Sequence, residues 1–149
     1  MNHQTQTNVT ATAQPDRWVG LRGRFLQKAL PVRLGELSSC LSMAKHIANQ
    51  TTTEKVAFSF LTEPSLYLDW GFPDADSTLQ SELNELQQFI AQVKQNWQSV
   101  WENPAERSAV GASFADWSQK MLDRSGLLNY DDWREVFRPA APTAIKVAA

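Results

Sequence analysis

Between Ser77 and Trp101 the residues Leu79, Leu83, Leu86, Ile90, Val93, Trp97 and Val100 recur at alternating steps of four and three. A helix returns to the same face every ~3.6 residues and a strand every second one, so this spacing draws a single apolar seam along a helix. A chain built around such a seam must pack helix on helix. The flanking positions Gln87, Phe89, Lys94 and Asn96 lack the alternating charges that select a coiled-coil partner. With Phe89 and Trp101 widening the stripe, the seam reads as one wall of a bundle of three or more helices.

The remaining punctuation agrees with an all-α chain. Trp18, Leu21, Phe25 and Ala29 share one helical face, and the seam resumes after Pro31 as Leu34, Leu37, Leu41, Ala44 and Ala48. Pro31 removes a backbone donor and clashes with the preceding turn, which predicts two segments meeting at a kink between about Arg17 and Asn49. Thr51 and Glu54 have capping-box spacing, and Asp76 or Ser77 caps the seam helix, with Gln80 as a second box partner of Ser77. In Asn103-Pro104-Ala105-Glu106 an N-cap, a first-turn proline and a first-turn acid follow one another, so the seam helix ends there and an antiparallel neighbour begins. That helix carries Val110, Phe114, Trp117 and Met121 and stops at Gly126. A short last helix is expected from Asn129 through Trp133, Val136 and Phe137 to Pro139. Residues 56–70 admit two readings: two short helices broken near Pro64, or a β-hairpin in which Val56, Phe58 and Phe60 alternate and Leu66, Leu68 and Trp70 answer them.

The expected architecture is therefore a four- to five-helix antiparallel bundle, with a bundle carrying a small hairpin at about 56–70 as the alternative. A single domain spans 16–138. Residues 1–15 and 139–149, poor in large apolar side chains, are expected as flexible tails. At 149 residues the chain is long enough for one real core. Its N-terminus lacks the basic start and apolar stretch of a secretion signal, and Cys40 has no second cysteine to pair with, so the expected location is cytoplasmic. No apolar run approaches the ~20 residues of a transmembrane helix.

Chemistry-bearing patterns are sparse. Cys40 and His46 are six positions apart, which turns them about 120° away from each other on a helix and excludes a nucleophile and base pair. No set of Cys, His or acidic residues has metal-ligand spacing, and the six glycines form no phosphate loop. We expect no enzyme, no cofactor and no metal. The stretch from Phe25 to Leu37 resembles the helix that precedes the phosphorylated helix of histidine phosphotransfer domains. That resemblance implies a phosphotransfer role for His46, although Ile47, Ala48, Asn49 and Gln50 stand where the family has its Lys and Gly.

The net charge of −2 argues against a protein that binds polyanions through its overall field, but the charge is unevenly spread. From Arg17 to Arg33 the chain carries Arg17, Arg22, Arg24, Lys28 and Arg33 with no acid, and from Glu54 to Glu85 seven acids against Lys55 alone. Six tryptophans in one small domain point to a surface groove as well as a core. The expectation is a regulatory or adaptor protein that binds another protein through Trp18, Trp70, Trp101 and Trp133, edged by the five basic residues of the first helix, with Trp97 and Trp117 in the core. A homodimer is one such assembly. Alternatives are nucleic-acid binding through the basic stretch 17–33 and attachment of that stretch to an anionic membrane surface.

Overall fold

A computed structural model of the chain describes residues 16–129, with side chains from Trp18 to Leu128. Among the described residues seven α-helices follow one another: α1 (Asp16–Gln27), α2 (Leu30–Ala44), α3 (Glu54–Ser59), α4 (Thr62–Trp70), α5 (Ser77–Gln95), α6 (Trp97–Glu102) and α7 (Pro104–Ser125). Helix α2 continues into a 3-10 turn at Lys45–Ala48, and a second such turn, Leu127–Asn129, follows α7. The described residues contain no strand. The fold is an all-α bundle. If the breaks before Pro31 and at Asn96 are counted as kinks, the helices make five rods. The tails and the last helix expected around Trp133 lie outside the described residues.

Local chemistry explains most of the boundaries. Ala29 turns extended (φ −64°, ψ 151°) and Pro31 sits in the first turn of α2, where its missing N–H is no loss. Asn103 Oδ1 accepts from the amides of Ala105 at 2.9 Å and Glu106 at 3.2 Å, and Pro104 opens α7. Gly126 ends that helix in the left-handed region at φ 71°. Asp76 caps α5 by accepting from Leu79 N at 2.9 Å, while Gln80 donates instead to the Phe72 carbonyl.

Two expectations, a cap and a helix end, need correction, and the choice between the two readings of 56–70 is resolved. The cap of α3 is Thr53, whose hydroxyl accepts from Val56 N at 3.3 Å; Thr51 binds the Asn49 side chain instead. Residues 56–70 are helical, because the buried positions Ala57, Leu61, Pro64 and Leu68 step by four, three and four. The seam helix is interrupted at Asn96 (φ −104°, ψ 23°), whose side chain donates to Gln92 O at 3.1 Å. The seam survives the break: Leu79, Leu83, Leu86, Ile90, Val93 and Val100 are all buried.

The closest packing in the bundle joins α2 and α7, antiparallel. Ser38 Oγ donates to Ser118 O at 2.7 Å and Ser118 Oγ donates to Ser38 O at 2.8 Å, so each helix lends a hydroxyl to the other's backbone. Small residues permit the approach. A Cβ on Gly111 would lie 2.7 Å from both Ala48 Cβ and Lys45 O, and one on Gly35 would lie 2.7 Å from a Leu127 methyl. Leu34, Leu37, Leu41, Phe114 and Met121 fill the space around this pair. Helix α5 lies antiparallel to α7, with Phe89 against Phe114 and with Arg124 Nε and Nη2 donating to the two Glu82 carboxylate oxygens at 2.7 and 2.6 Å.

Two outcomes are expected in urea unfolding. Gly111→Ala lowers stability by about 1–3 kcal/mol through overpacking, whereas Gly23→Ala, where a Cβ meets nothing within 4 Å, raises it by about 0.5–1 kcal/mol through helix propensity. Midpoints moving in the same direction would contradict the close approach. Hydrogen bonds from Arg124 hold the Glu82 carboxyl below its usual 4.5, against an opposing push from burial and with help from the Arg124 and Lys120 charges. A depressed folded pKa adds stability above the unfolded value and loses it as pH falls through the folded one. The stability difference between the wild type and Glu82→Gln is therefore expected at pH 7, should shrink as the pH falls below 4.5, and should vanish only below the lowered folded pKa.

Candidate docking surface

Two aromatic clusters occupy the two ends of α2. At its N-terminal end the Phe25 ring stacks on Tyr67 at 4.4 Å and meets Trp70 at 5.7 Å and the edge of Phe72 at 5.6 Å. Arg33, only 2% exposed, lies against Phe25 and Phe72. Its Nε donates to Lys28 O at 3.0 Å and its Nη2 pairs with Asp74. Arg33 Nη1 and Trp70 Nε1 are buried with no hydrogen-bond partner, and each such donor costs about 1–3 kcal/mol. Burial, followed by the charges of Glu63 and Glu36, pushes the Tyr67 phenol up. This cluster is closed and serves the packing of α1, α2 and α4.

The other end is open on one side. Arg107, 6% exposed, donates from Nε to Ile47 O at 3.0 Å, a carbonyl that the end of the 3-10 turn leaves without a helical partner, and from Nη2 to Asn49 O at 2.8 Å, which also accepts from Thr52 N. Its guanidinium lies 3.7 Å from the Trp101 ring centre. Trp101 stacks on Trp97 at 6.0 Å and 22°, and Trp97 meets Phe58 at 5.1 Å and 73°. Trp97 Nε1 donates to Glu54 Oε2 at 3.1 Å. The ladder Arg107, Trp101, Trp97, Phe58 thus runs from the interior to the surface, where Phe58 is 41% and Val56 48% exposed. Glu54, Lys55, Phe58 and Trp97 line an open hollow of about 550 Å³.

The residues singled out from sequence are not on one surface. Arg33 is buried and Trp70 half-buried in the first cluster, Trp101 is half-buried in the second, and Trp18 is half-buried on α1. At ~1.5 Å per residue along α2, the Arg33 and Ile47 ends stand roughly 20 Å apart. The basic stretch is also divided: Arg33 pairs with Asp74 of the acidic segment, Lys28 with Glu36, and Arg22 and Arg24 remain exposed. The Arg17 side chain and Trp133 lie outside the described residues. Trp97 and Trp117, expected in the core, are half-buried, with Lys120 Nζ 4.9 Å over the Trp117 ring. Phe58 and Arg107 were missed, because residues 58, 97, 101 and 107 meet only through the tertiary fold.

His46 is exposed on the 3-10 turn. Cys40 is buried, and burial, then the Glu63 charge, raises its pKa and keeps it a thiol. Among the described residues no group of three His, Cys, Asp or Glu is placed to hold a metal, and no helix is long and apolar enough to cross a membrane. The chain matches no protein-family model, no curated protein and no solved structure.

Arg107→Met keeps the side-chain length but removes both donors, leaving the buried Ile47 end without its partner. We expect a loss of about 1–3 kcal/mol in urea unfolding and altered Trp fluorescence. Arg107→Lys should recover only part of it, since an ammonium cannot reproduce the planar fork.

Proposed function

We propose that this chain is a non-catalytic binding module, a small adaptor or regulatory protein, and that it docks another protein on the aromatic edge formed by α3 and α6. The observation that carries the reading is the exposure of Val56 and Phe58 beside half-buried Trp97. Among the described residues nothing covers these apolar groups fully. Trp and Arg carry a disproportionate share of interface energy, and a rigid stack offers them at low entropic cost. The basic helix α1 belongs to the opposite end, so we separate it from this surface. A cytoplasmic location goes with the reading, and the buried thiol of Cys40 suits a reducing compartment. A second copy of the chain is among the partners this edge would accept.

A photoreactive benzoylphenylalanine placed at position 58 should yield discrete adducts in intact cells, and the same probe at exposed Asn84 on α5 should not. Val56→Ser should weaken the adducts while changing stability by less than about 0.5 kcal/mol. Equal labelling from both positions, or none from position 58, would remove the proposed surface. A second reading, nucleic-acid binding through α1, is favoured by the exposure of Arg22 and Arg24. Under it, a gel shift appears at low salt and the double Ala variant lowers its salt slope by about two.

A further inference from the structure

We infer that the hollow between α3 and α6 is a receptor for a cationic side chain, the ammonium or guanidinium of a basic segment in the docked protein. The inference rests on the proposed docking edge and adds the chemistry of what enters it.

Three observations converge on a cation. Phe58 and Trp97 meet at 73° with centres 5.1 Å apart, so two aromatic walls border one hollow, and aromatic faces attract cations through their quadrupoles. A carboxylate stands beside them: Glu54 is fixed by the Trp97 indole N–H through Oε2, and among the described residues no hydrogen bond or ion pair engages its Oε1. The same stack already holds a cation at its inner end, where the Arg107 guanidinium covers Trp101 at 3.7 Å. Trp101 and Trp97 are nearly parallel, at 22°, so a guanidinium closes the inner end of one aromatic column, while partly exposed Phe58 stands at its outer end. A ligand cation at Phe58 and Trp97 repeats at the surface the contact that Arg107 makes inside.

Lys55 also lines the hollow and is exposed, with no ion pair to a described residue. Its charge opposes a second cation, which places the ligand on the Glu54 side and makes the two neighbours act in opposite directions. Neutralising Glu54 weakens binding, and neutralising Lys55 strengthens it.

The test uses tetramethylammonium chloride as probe on the full chain, read by the Trp97 indole N–H resonance in proton–nitrogen NMR, with sodium chloride at equal ionic strength as control. The expected result is a saturable displacement by tetramethylammonium alone. Glu54→Gln should raise the apparent Kd about threefold and Lys55→Gln should lower it by about the same factor, as expected for a single charge at the rim of a solvated site. Phe58→Leu, which keeps an apolar side chain but removes the ring, should abolish the displacement with the urea midpoint retained. An equal displacement by sodium chloride, a response surviving in Phe58→Leu, or shifts of the same sign from the Glu54 and Lys55 variants would overturn the inference. Adducts at position 58 without a tetramethylammonium response would uphold the protein-docking reading and sink the cation site. A response without adducts would do the reverse.

Discussion

The reciprocal hydrogen bonds between Ser38 and Ser118 set the geometry of this molecule. Each hydroxyl reaches the other helix's carbonyl at under 3 Å, which is possible only when the α2 and α7 backbones run close together. Gly111 allows that approach on one side of the serine pair, against Lys45 O and Ala48, and Gly35 makes room on the other for the Leu127 side chain that follows α7. The apolar helix α5 then packs against a rigid antiparallel pair, although its seam is the more conspicuous sequence feature. Close approach also fixes register. Helix α7 can shift along α2 only by breaking both serine bonds and by bringing a larger side chain, in place of Gly111, against Lys45 O and Ala48. With the register set, Arg107 arrives at the Ile47 and Asn49 carbonyls, and Glu82 meets Arg124 from α5.

The two buried guanidiniums show how differently one residue type can be used. Arg107 is held by two backbone carbonyls and an aromatic face, and it supplies donors that the end of a helical turn needs. Arg33 has one carbonyl and Asp74, and one of its Nη donors is left without a partner among aromatic rings. A buried charge with incomplete partners is weak ground for stability. Arg33 is better understood as a group that ties the loop after α4, through Asp74, to the junction of α1 and α2. Phe25 and Phe72, which flank it, belong to the two segments being joined.

Signals confined to a few neighbouring residues were legible in the sequence. Asn103-Pro104, Gly126 and Pro31 mark the boundaries they were expected to mark, because a cap, a left-handed glycine and a missing amide act within one turn. The seam from Leu79 to Val100 was legible because burial repeats with the helix period. The break at Asn96 was not, since Asn at a polar position gives no sign that its side chain will turn back onto Gln92 O. The α2–α7 contact was hidden for a related reason. Gly111, Ser118 and Ser125 recur every seven residues on one face, but small residues carry little hydrophobic signal, and their value appears only when a second helix comes close. Grouping tryptophans and basic residues by their place along the chain combined Arg33, Trp70 and Trp101 into one surface; the fold sends the first two to one end of α2 and the third to the other.

The aromatic column remains open at its outer end because of where its members are anchored. Trp101 lies next to the α6–α7 junction, where Asn103 and Arg107 are both tied down, so its inner face is covered as a consequence of folding. Phe58 is carried by α3, which has only six residues and too few internal hydrogen bonds to be stable alone. That helix is held by the Thr53 cap, the buried Ala57 and the Trp97 to Glu54 bond. The first two act on its start and its inner face, and the third crosses directly to the column. A contact that adds partners to Phe58 or Glu54 therefore also adds to what holds α3 in place, and by mass action it stabilises the segment that presents the site. A helix too short to be stable alone thus presents the exposed end of the aromatic column.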